Sequence, residues 1–286
     1  MQINKIGIIG SGTMGAGIVQ LMLQNGFVAI MYDINEGILD KAKNTIFKRL
    51  ERLNEKGRLT FEEVTNGKSN LTVTSNLKYL KDCDFIIEAV PEKLELKKSI
   101  FAEVEEICKE DAILATNTSS LSVTEISTSV NKPELFLGVH FFNPAPLMPL
   151  IEVIKGMKTD EKIIQRVIDF SKQLHKTPVR CEDTPGFIVN RVARPYYNEA
   201  IRIMKDQIAK PEQIDRIMKR AGNFNMGPFE LQDLIGIDVN FSSTKTVYEG
   251  FFGESRFRPH PYQERMVQSG NLGRKSNKGY YDYEQD

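Results

Sequence analysis

Two side chains that could exchange a proton stand in consecutive apolar segments of the sequence. His140 lies near the end of LFLGVHF (135–141), and Glu152 lies within PLIEVIK (149–155), after a proline-rich turn. A histidine takes up and releases a proton near neutral pH, and a neighbouring carboxylate orients the ring and stabilises its charged form. A carboxylate in an apolar strand is costly to bury without a partner. The pair therefore predicts general acid–base chemistry, and a structural histidine is the alternative for His140.

Two further polar side chains follow at places where chemistry is common in α/β proteins. Ser119 comes shortly after the strand-like AILATN (112–117), and Asn190 lies in TPGFIVNR (184–191), at the head of a long helical pattern. Ligands in open α/β sheets bind at the carboxyl ends of the strands, which favours a functional role for Ser119. Ser119 could equally cap the helix predicted at SVTEI, and Asn190 could simply start its helix. The residues alone leave both roles open.

A glycine-rich stretch near the start of the sequence has the spacing of a dinucleotide-binding loop. Gly10, Gly12 and Gly15 form G-x-G-x-x-G between the strand-like KIGIIG and the helical MGAGIVQLMLQNG. The first glycine permits a tight turn, the second lets the backbone approach a pyrophosphate, and the third removes a side chain where helix meets strand. The amide groups of this loop, which includes Thr13 and Met14, would hold the anion together with the helix dipole. Ordinary turn glycines are the simpler alternative.

Asp33 strengthens the dinucleotide interpretation, because it ends the second strand-like segment, VAIMYD (28–33). A carboxylate at this place can accept hydrogen bonds from both hydroxyls of an adenosine ribose, and it repels a 2′-phosphate. The residues that follow, INEG, contain no arginine that could bind such a phosphate. The sequence therefore favours NAD over NADP.

The scaffold that would position these residues is an α/β domain followed by a helical one. Short apolar runs alternate with helical segments as far as Asp183, a pattern typical of a mostly parallel sheet with helices on both faces. We predict a doubly wound, Rossmann-like NAD-binding domain over residues 1–183, with a helical excursion at about 36–67. The pattern then becomes helical, so residues 184–286 are predicted to form an all-α C-terminal domain.

The composition argues against several broad classes of protein. Lys and Arg number 38 and Asp and Glu number 38 among 286 residues, so the formal net charge is zero, unlike that of a nucleic-acid coat or a polybasic membrane binder. No apolar run approaches the roughly 20 residues that span a bilayer. Three cysteines without C-x-x-C spacing favour a reducing, cytoplasmic compartment, and three scattered histidines give no support to a metal site.

Six segments in a fixed order carry a family resemblance: GSGTMGAGI, ATNTSSLSVTEI, GVHFFNPAPLMPLIEVI, DTPGFIVNR, NMGPFELQDLIGID and LGRKSNKGYYDY. Together they resemble the short-chain L-3-hydroxyacyl-CoA dehydrogenase family, in its bacterial 3-hydroxybutyryl-CoA dehydrogenase form, along essentially the whole chain. The resemblance implies an NAD-dependent oxidoreductase of fatty acid metabolism. Such an enzyme interconverts (S)-3-hydroxybutyryl-CoA, or longer 3-hydroxyacyl-CoA homologues, and acetoacetyl-CoA or the matching 3-oxoacyl-CoA.

The resemblance also implies roles for individual residues. His140 and Glu152 match the acid–base pair, while Ser119 and Asn190 match residues that hydrogen-bond the substrate oxygen. Further residues match positions at the cofactor: Glu92, Lys97, Asn117, Ser119, Asn143 and Lys275. Solvated surface charges are the ordinary interpretation of lone lysines such as Lys97 and Lys275.

A cationic stripe on the predicted helix after the second strand suits a ligand rich in phosphate. Lys48, Arg52 and Lys56 are four residues apart and share a helix face. The resemblance implies contacts between the coenzyme A moiety and both Lys56 and Arg49, although family members often have serine at the latter position. A solvated face paired with neighbouring glutamates is the alternative.

Two other functions stay open from the sequence. A dehydrogenase of a free hydroxy acid, such as L-gulonate 3-dehydrogenase, would share the four catalytic positions but would not need the cationic helix. A non-catalytic NAD-binding sensor or structural protein would bind the cofactor without turnover. For the enzyme, we expect an acyl-CoA substrate in the cleft between the domains and a homodimer formed through amphipathic helices of the second domain.

Overall fold

The computed structural model describes residues 3–283. The chain divides into two compact units, Met1–Thr184 and Pro185–Asp286. The outermost residues of the two predicted domains, 1–2 and 284–286, lie outside the described residues.

One mixed sheet organises the first unit. Within residues 3–283 it has eight strands: β1 (Lys5–Ile9), β2 (Val28–Tyr32), β3 (Leu71–Thr74), β4 (Phe85–Glu88), β5 (Ile113–Thr116), β6 (Phe136–Phe141), β7 (Leu150–Lys155) and β8 (Thr177–Glu182). Their spatial order is β3-β2-β1-β4-β5-β6-β7-β8, and every neighbouring pair is parallel except β6 and β7. The predicted α/β class with a doubly wound, mostly parallel sheet is confirmed.

The helices of the first unit connect these strands and flank the sheet. They are α1 (Thr13–Gln24), α2 (Glu36–Glu55), α3 (Phe61–Ser69), α4 (Leu94–Glu105), α5 (Val123–Ile126) and α6 (Glu161–Gln173). The predicted helical excursion corresponds to α2 and α3, because Thr60 and Glu63 form a reciprocal capping box that starts a new helix.

The central strands are buried along their whole length, which explains their continuous apolar sequences. Every residue of β4, β5 and β6 is buried. Strand β3 was not predicted, because its sequence LTVT forms an outer strand that is only partly buried. A short, partly polar edge strand gives a much weaker apolar signal than a central one.

One edge of the sheet collects most of the candidate residues of this unit. Strands β1, β2, β4, β5 and β6 are mutually parallel, so their carboxyl ends share that edge. Strand β7 runs antiparallel to β6 and therefore begins there. Chain order reverses between β1 and β4, and in such sheets ligands bind in the crevice at this point.

The second unit is helical, as predicted. Its helices are α7 (Val189–Lys205), α8 (Pro211–Arg220), α9 (Pro228–Ile235), α10 (Ile237–Gly250) and α11 (Pro261–Gln268). Ile201, Ile214 and Phe229 belong to a buried apolar cluster that joins α7, α8 and α9. Between residues 3 and 283, no helix combines the length and apolarity needed to cross a lipid bilayer.

Candidate active site

His140 and Glu152 face each other across the only antiparallel strand pair in the described part of the sheet. They are direct partners in the register of β6 and β7. The distance from His140 Nδ1 to Glu152 Oε2 is 2.7 Å, and the residues are 8% and 1% exposed. An ionised carboxylate can only accept, so Nδ1 carries the hydrogen and Nε2 becomes the basic ring atom. This geometry is compatible with the predicted general acid–base chemistry.

The residues after β5 are tied to both neighbouring strands. Asn117 Oδ1 accepts a hydrogen bond from the Phe141 amide at 2.9 Å, which joins the ends of β5 and β6. Ser119 donates its amide hydrogen to Glu92 Oε1 at 2.9 Å. The alternative of a helix-capping Ser119 is wrong, because Ser122 is the residue whose side chain caps α5.

The glycine loop joins β1 to α1 in the crevice between β1 and β4. Gly10 has φ +99°, and a Cβ atom there would lie 2.7 Å from the Ala89 carbonyl oxygen. A Cβ atom on Gly15 would lie 1.8 Å from the Gly10 carbonyl oxygen, whereas one on Gly12 would meet nothing within 4 Å. Helix α1, which begins at Thr13, has no side-chain cap on its first amides. The loop therefore leaves an open approach to uncapped amide donors, the arrangement that suits a phosphate group.

Asp33 follows β2 and lies against the glycine loop. Its Oδ2 accepts hydrogen bonds from the amide and the hydroxyl of Ser11, both at 2.8 Å, and its Oδ1 accepts one from the Asn35 amide at 3.1 Å. These contacts hold the carboxylate beside the loop that would carry a pyrophosphate.

Lys97 of α4 lies in the interior of this unit. Its side chain is 0% exposed, and its Nζ lies 2.6 Å from Glu88 Oε1 and 3.2 Å from Glu92 Oε2. The interpretation of Lys97 as a solvated surface charge is therefore wrong. Burial acts to raise the pKa of Glu92, but the Lys97 charge and hydrogen bonds from Thr118 and Ser119 outweigh it, so that pKa is lowered.

A groove of about 490 Å³ lies between α1, the end of α2 and the loop after β6. Four cationic side chains line it: Arg49, Arg52, Lys56 and Arg58. Lys48 is exposed and is not among the lining residues. Arg49 donates to the buried Gln20 side chain at 3.4 Å. Two residues of the predicted cationic stripe, Arg52 and Lys56, thus line one concave surface together with Arg49 and Arg58.

The far wall of the groove includes Asn143 and the residues that follow it. A cis peptide bond joins Asn143 to Pro144. The Lys176 ammonium donates to the carbonyl groups of Ala145, Pro146 and Met148 at 2.8, 3.1 and 2.8 Å. Burial lowers the pKa of Lys176. One lysine therefore holds the loop that carries Asn143.

Two candidates belong to the second unit. Asn190 is the second residue of α7, and its side-chain oxygen accepts a hydrogen bond from Arg194 at 3.2 Å. Arg194 is 3% exposed, and burial lowers its pKa to about 10. Lys275 contacts both carboxylate oxygens of Asp238, at 2.5 and 2.6 Å, and its side chain is 44% exposed. The contact with Arg194 orients the amide of Asn190.

The first unit also has a cavity away from the candidate site. A second cavity, of about 300 Å³, is lined by residues that include Glu105, Cys108 and Lys132. It lies where β5 and β6 begin, at the opposite edge of the sheet, and contains no predicted site residue. Among residues 3–283, no group of three or more His, Cys, Asp or Glu side chains is placed to bind a metal ion.

Two family models match nearly the whole chain. The model of the 3-hydroxyacyl-CoA dehydrogenase NAD binding domain matches residues 5–184, and that of the 3-hydroxyacyl-CoA dehydrogenase C-terminal domain matches residues 186–283. The chain belongs to the 3-hydroxyacyl-CoA dehydrogenase family. The resemblance inferred from the sequence is confirmed.

Individual members of the family match this chain over different fractions of their own length. The 3-hydroxyadipyl-CoA dehydrogenase of Escherichia coli K12 is 43% identical over 283 residues, a match that covers 99% of this chain and 60% of that protein. The 3-hydroxybutyryl-CoA dehydrogenase of Clostridioides difficile is 43% identical over 279 residues, 98% of this chain and 99% of the relative. The crystal structure of 3-hydroxybutyryl-CoA dehydrogenase from Escherichia coli K12 has a TM-score of 0.97 and 43% identity, and covers 100% of this chain and 61% of the solved one. The chain thus spans about 60% of the first relative and nearly all of the second.

Sequence reasoning missed several residues of this family member that hold the candidate site together. Glu88 binds Lys97, Thr118 binds Glu92, and Lys176 binds the loop after β6. A signal for Glu88 was present, because DFIIEAV places a carboxylate inside an apolar strand, as PLIEVIK does for Glu152. No comparable signal exists for Lys176, whose three acceptors are backbone carbonyl groups.

Proposed function

We propose that the chain is an NAD-dependent 3-hydroxyacyl-CoA dehydrogenase that interconverts (S)-3-hydroxybutyryl-CoA and acetoacetyl-CoA. The observation that carries the proposal is the buried pair His140–Glu152, with a 2.7 Å contact, at the sheet edge that also bears the glycine loop. A general acid–base group and a dinucleotide loop on one edge are the two requirements for oxidising a secondary alcohol.

The chemistry assigned to the chain is the transfer of one proton and the stabilisation of one oxygen. In the oxidation, His140 Nε2 takes the hydroxyl proton of the substrate, and Glu152 stabilises the imidazolium that results. In the reduction, the same atom returns a proton to the carbonyl oxygen. Ser119 and Asn190 hydrogen-bond this oxygen and stabilise the charge that develops on it. Bound NAD would supply the acceptor for the β-carbon hydride in the oxidation, and as NADH the hydride donor in the reduction.

The residues around the crevice fit NAD. The uncapped start of α1 and the open side of Gly12 suit a pyrophosphate, and the Asp33 carboxylate suits two ribose hydroxyls. The negative charge of Asp33 disfavours a 2′-phosphate, so NADH is preferred to NADPH. Thr13 and Met14 belong to the same loop; Glu92, Lys97, Asn117, Ser119, Asn143 and Lys275 complete the proposed cofactor contacts.

The cationic groove supports an acyl-CoA substrate rather than a free acid. Coenzyme A carries several phosphate charges, and clustered arginine and lysine side chains bind such groups. Arg49 and Lys56, the two positions expected to contact coenzyme A, both line the groove. A free hydroxy acid has no phosphate groups that would occupy this surface.

Turnover by the wild-type protein tests the proposed activity. NADH oxidation is followed by absorbance with acetoacetyl-CoA, with free acetoacetate and with 3-dehydro-L-gulonate, and NADPH is compared in parallel. We expect turnover with acetoacetyl-CoA and NADH, and at least about tenfold lower kcat/KM with either free acid or with NADPH. Preference for a free acid would replace the proposal with that activity, and NADH binding without turnover of any thioester would indicate a non-catalytic protein.

The coenzyme A contact has a matched pair of variants. Lys56→Gln removes a charge that lines the groove, and Lys48→Gln removes one from the same helix outside it. We expect the KM for acetoacetyl-CoA to rise about tenfold in the first variant, since a phosphate contact contributes to binding, and to stay unchanged in the second. Equal effects of the two variants would contradict a role for this groove.

We also propose a homodimer in the cytoplasm. Large apolar side chains of the second unit are exposed on α7, α8, α9 and α10, among them Val192, Ile217, Leu234 and Val239, at 69%, 59%, 50% and 49%. Such surface supports association with a second copy. Light scattering coupled to gel filtration measures the mass directly, and a monomer at micromolar concentration would contradict the proposal.

A further inference from the structure

Glu88 is a buried carboxylate at the sheet edge that carries the candidate site. The proposed mechanism gives it no role. It ends β4 and is 0% exposed. Its Oε1 accepts hydrogen bonds from the Val90 amide at 2.7 Å and from Lys97 Nζ at 2.6 Å. Its Oε2 accepts one from the Thr116 hydroxyl at 2.7 Å. Glu88 therefore connects the ends of β4 and β5 with helix α4.

Lys97 extends these contacts from the interior towards the surface. Its buried ammonium lies between Glu88 and Glu92, at 2.6 and 3.2 Å from their oxygens. The Glu92 side chain is 34% exposed. A single cation is thus shared between an interior carboxylate and one at the edge of the site.

Glu92 in turn holds the serine turn, which comprises residues 118–120. Its Oε1 accepts hydrogen bonds from the Thr118 hydroxyl at 2.6 Å, from the Ser119 amide at 2.9 Å, and from the Ser120 amide and hydroxyl at 3.2 and 3.1 Å. One carboxylate oxygen thereby binds the backbone amides of both Ser119 and Ser120. Any movement of Glu92 would be transmitted to this residue.

The use of charge in the interior needs an explanation other than stability. Desolvation makes buried ion pairs weak contributors to stability, and well-packed apolar side chains often do as well. Removing one member, however, leaves its partner uncompensated and forces that partner to move. Without Glu88, the Lys97 ammonium would have Glu92 as its remaining carboxylate and would pull it inwards, away from the serine turn.

We propose that Glu88 is a positioning residue for the reaction, which acts through Lys97 and Glu92 to hold Ser119 in its productive place. The inference rests on the proposed function, in which Ser119 hydrogen-bonds the reacting oxygen. Glu88 does not touch substrate or cofactor; its effect passes through two other side chains. A merely structural Glu88 would join β4 to β5 and leave the serine turn unchanged when substituted.

The principal variant is Glu88→Gln, which keeps the size of the side chain and one acceptor oxygen but removes the charge. We expect kcat to fall about tenfold or more, because small displacements of an orienting group cost rate, while the KM for acetoacetyl-CoA changes less than about threefold. Independently of activity, we expect amide hydrogen exchange in peptides spanning residues 117–121 to become faster. Peptides from β6 should exchange as in the wild type.

A matched control comes from the opposite end of the same strand. Asp84 precedes β4 and also binds a lysine, Lys109, at 2.7 Å, together with the amides of Asn4 and Lys5. Asp84→Asn removes a charge from a lysine contact of similar length, with a more exposed lysine, at the end of the strand away from the serine turn. We expect kcat within about twofold of wild type and unchanged exchange in residues 117–121.

Two further variants keep the proposal testable. In a Lys97→Met background, adding Glu88→Gln should lower kcat by less than about a further twofold, because the effect of Glu88 passes through the ammonium. If Glu88→Gln does not fold, Thr116→Val removes one hydrogen bond to Glu88 and should give the same changes at smaller size, about threefold in kcat.

The outcomes separate this inference from the proposed function. Wild-type exchange in residues 117–121 of both Glu88→Gln and Thr116→Val overturns the positioning role, whatever the substrate proves to be. The positioning role is also overturned if Glu88→Gln lowers kcat by the same factor in the Lys97→Met background as in the wild type. Absence of turnover in the wild type would overturn the proposed function, while the exchange measurement would still decide whether Glu88 holds the turn.

Discussion

The two units bury carboxylates of comparable size but give them different partners. In the first unit, the fully buried Glu88 binds an ammonium and Glu152 binds an imidazole. In the second unit, Asp215 and Asp233 are each 1% exposed, and their partners are backbone amides and tyrosine hydroxyls. The first kind of partner can carry a charge or exchange a proton, whereas the second kind only donates hydrogen bonds.

The contacts of the aspartates explain their role in the second unit. Asp215 accepts from the Phe229 and Glu230 amides at the start of α9, so it acts as a cap from a neighbouring helix. Asp233 accepts from the Tyr280 amide and from the Tyr283 hydroxyl, both at 3.0 Å, and so attaches the end of the described chain. Burial raises the pKa of both aspartates. The comparison indicates that the partner, rather than burial itself, separates the carboxylates proposed to serve the reaction from those that attach backbone segments.

The largest effect expected from the comparison is on Glu152. Glu152→Gln keeps the shape of the pair but removes the charge that stabilises the His140 imidazolium. We expect kcat to fall by about 10² or more with little change in cofactor affinity. Steady-state kinetics with acetoacetyl-CoA and a separate NADH titration measure the two quantities, and a kcat within threefold of wild type would place Glu152 among the structural carboxylates.

The second unit should show the reverse pattern. Asp233→Asn replaces a carboxylate that accepts three hydrogen bonds by an amide with a single acceptor oxygen. We expect the free energy of unfolding to fall by about 1–3 kcal/mol, the range for an unsatisfied buried polar group, while kcat at 25 °C stays near wild type. Urea denaturation and the same steady-state assay give both values. A large loss of kcat without loss of stability would break the comparison.

The two kinds of carboxylate should also respond to acid with opposite signs. The pKa of Glu92 lies below its ordinary value of 4.5, so its contribution to stability is present above that pH and is lost as the pH falls through the lowered pKa. The pKa of Asp233 lies above its ordinary value of 3.8, so its ionisation opposes folding, and acidification through the raised pKa relieves this cost. The two residues therefore make opposite contributions to stability in acid.

Differences in unfolding temperature reveal these contributions separately. Wild type is compared with Glu92→Gln and with Asp233→Asn, at neutral pH and at the lowest pH at which all three proteins stay folded. We expect the advantage of wild type over Glu92→Gln to shrink in acid and its advantage over Asp233→Asn to grow. Parallel changes in both differences would refute the assigned pKa directions.

Much of the first unit could be predicted because its signals are local. Continuous apolar runs indicated the central strands, and the glycine spacing and Asp33 indicated where a dinucleotide would bind. His140 and Glu152 were predicted on consecutive strands, but their direct pairing depends on β7 running antiparallel to β6. Nothing in an apolar run specifies its direction within a sheet, so this contact required the structure.

The environment of Lys97 could not be predicted for a different reason. LELKKSIF reads as a helix with a polar face, and most lysines on such faces are solvated. Its burial depends on Glu88, which the fold brings to it from the preceding strand. Asn190 was predicted at the head of a helix, but its contact with Arg194 becomes visible only when α7 is formed. The catalytic and binding roles of these residues stay predictions.

Turnover by His140→Ala tests the central claim most directly. The matched control is His175→Asn, because His175 is exposed, has φ +56°, and asparagine tolerates that backbone conformation. With acetoacetyl-CoA and NADH, we predict that kcat falls by about 10²–10⁴ in His140→Ala, as expected when proton transfer in the transition state is lost. NADH affinity should be retained, and the control should match wild type. A His140→Ala protein with kcat near wild type would contradict the account.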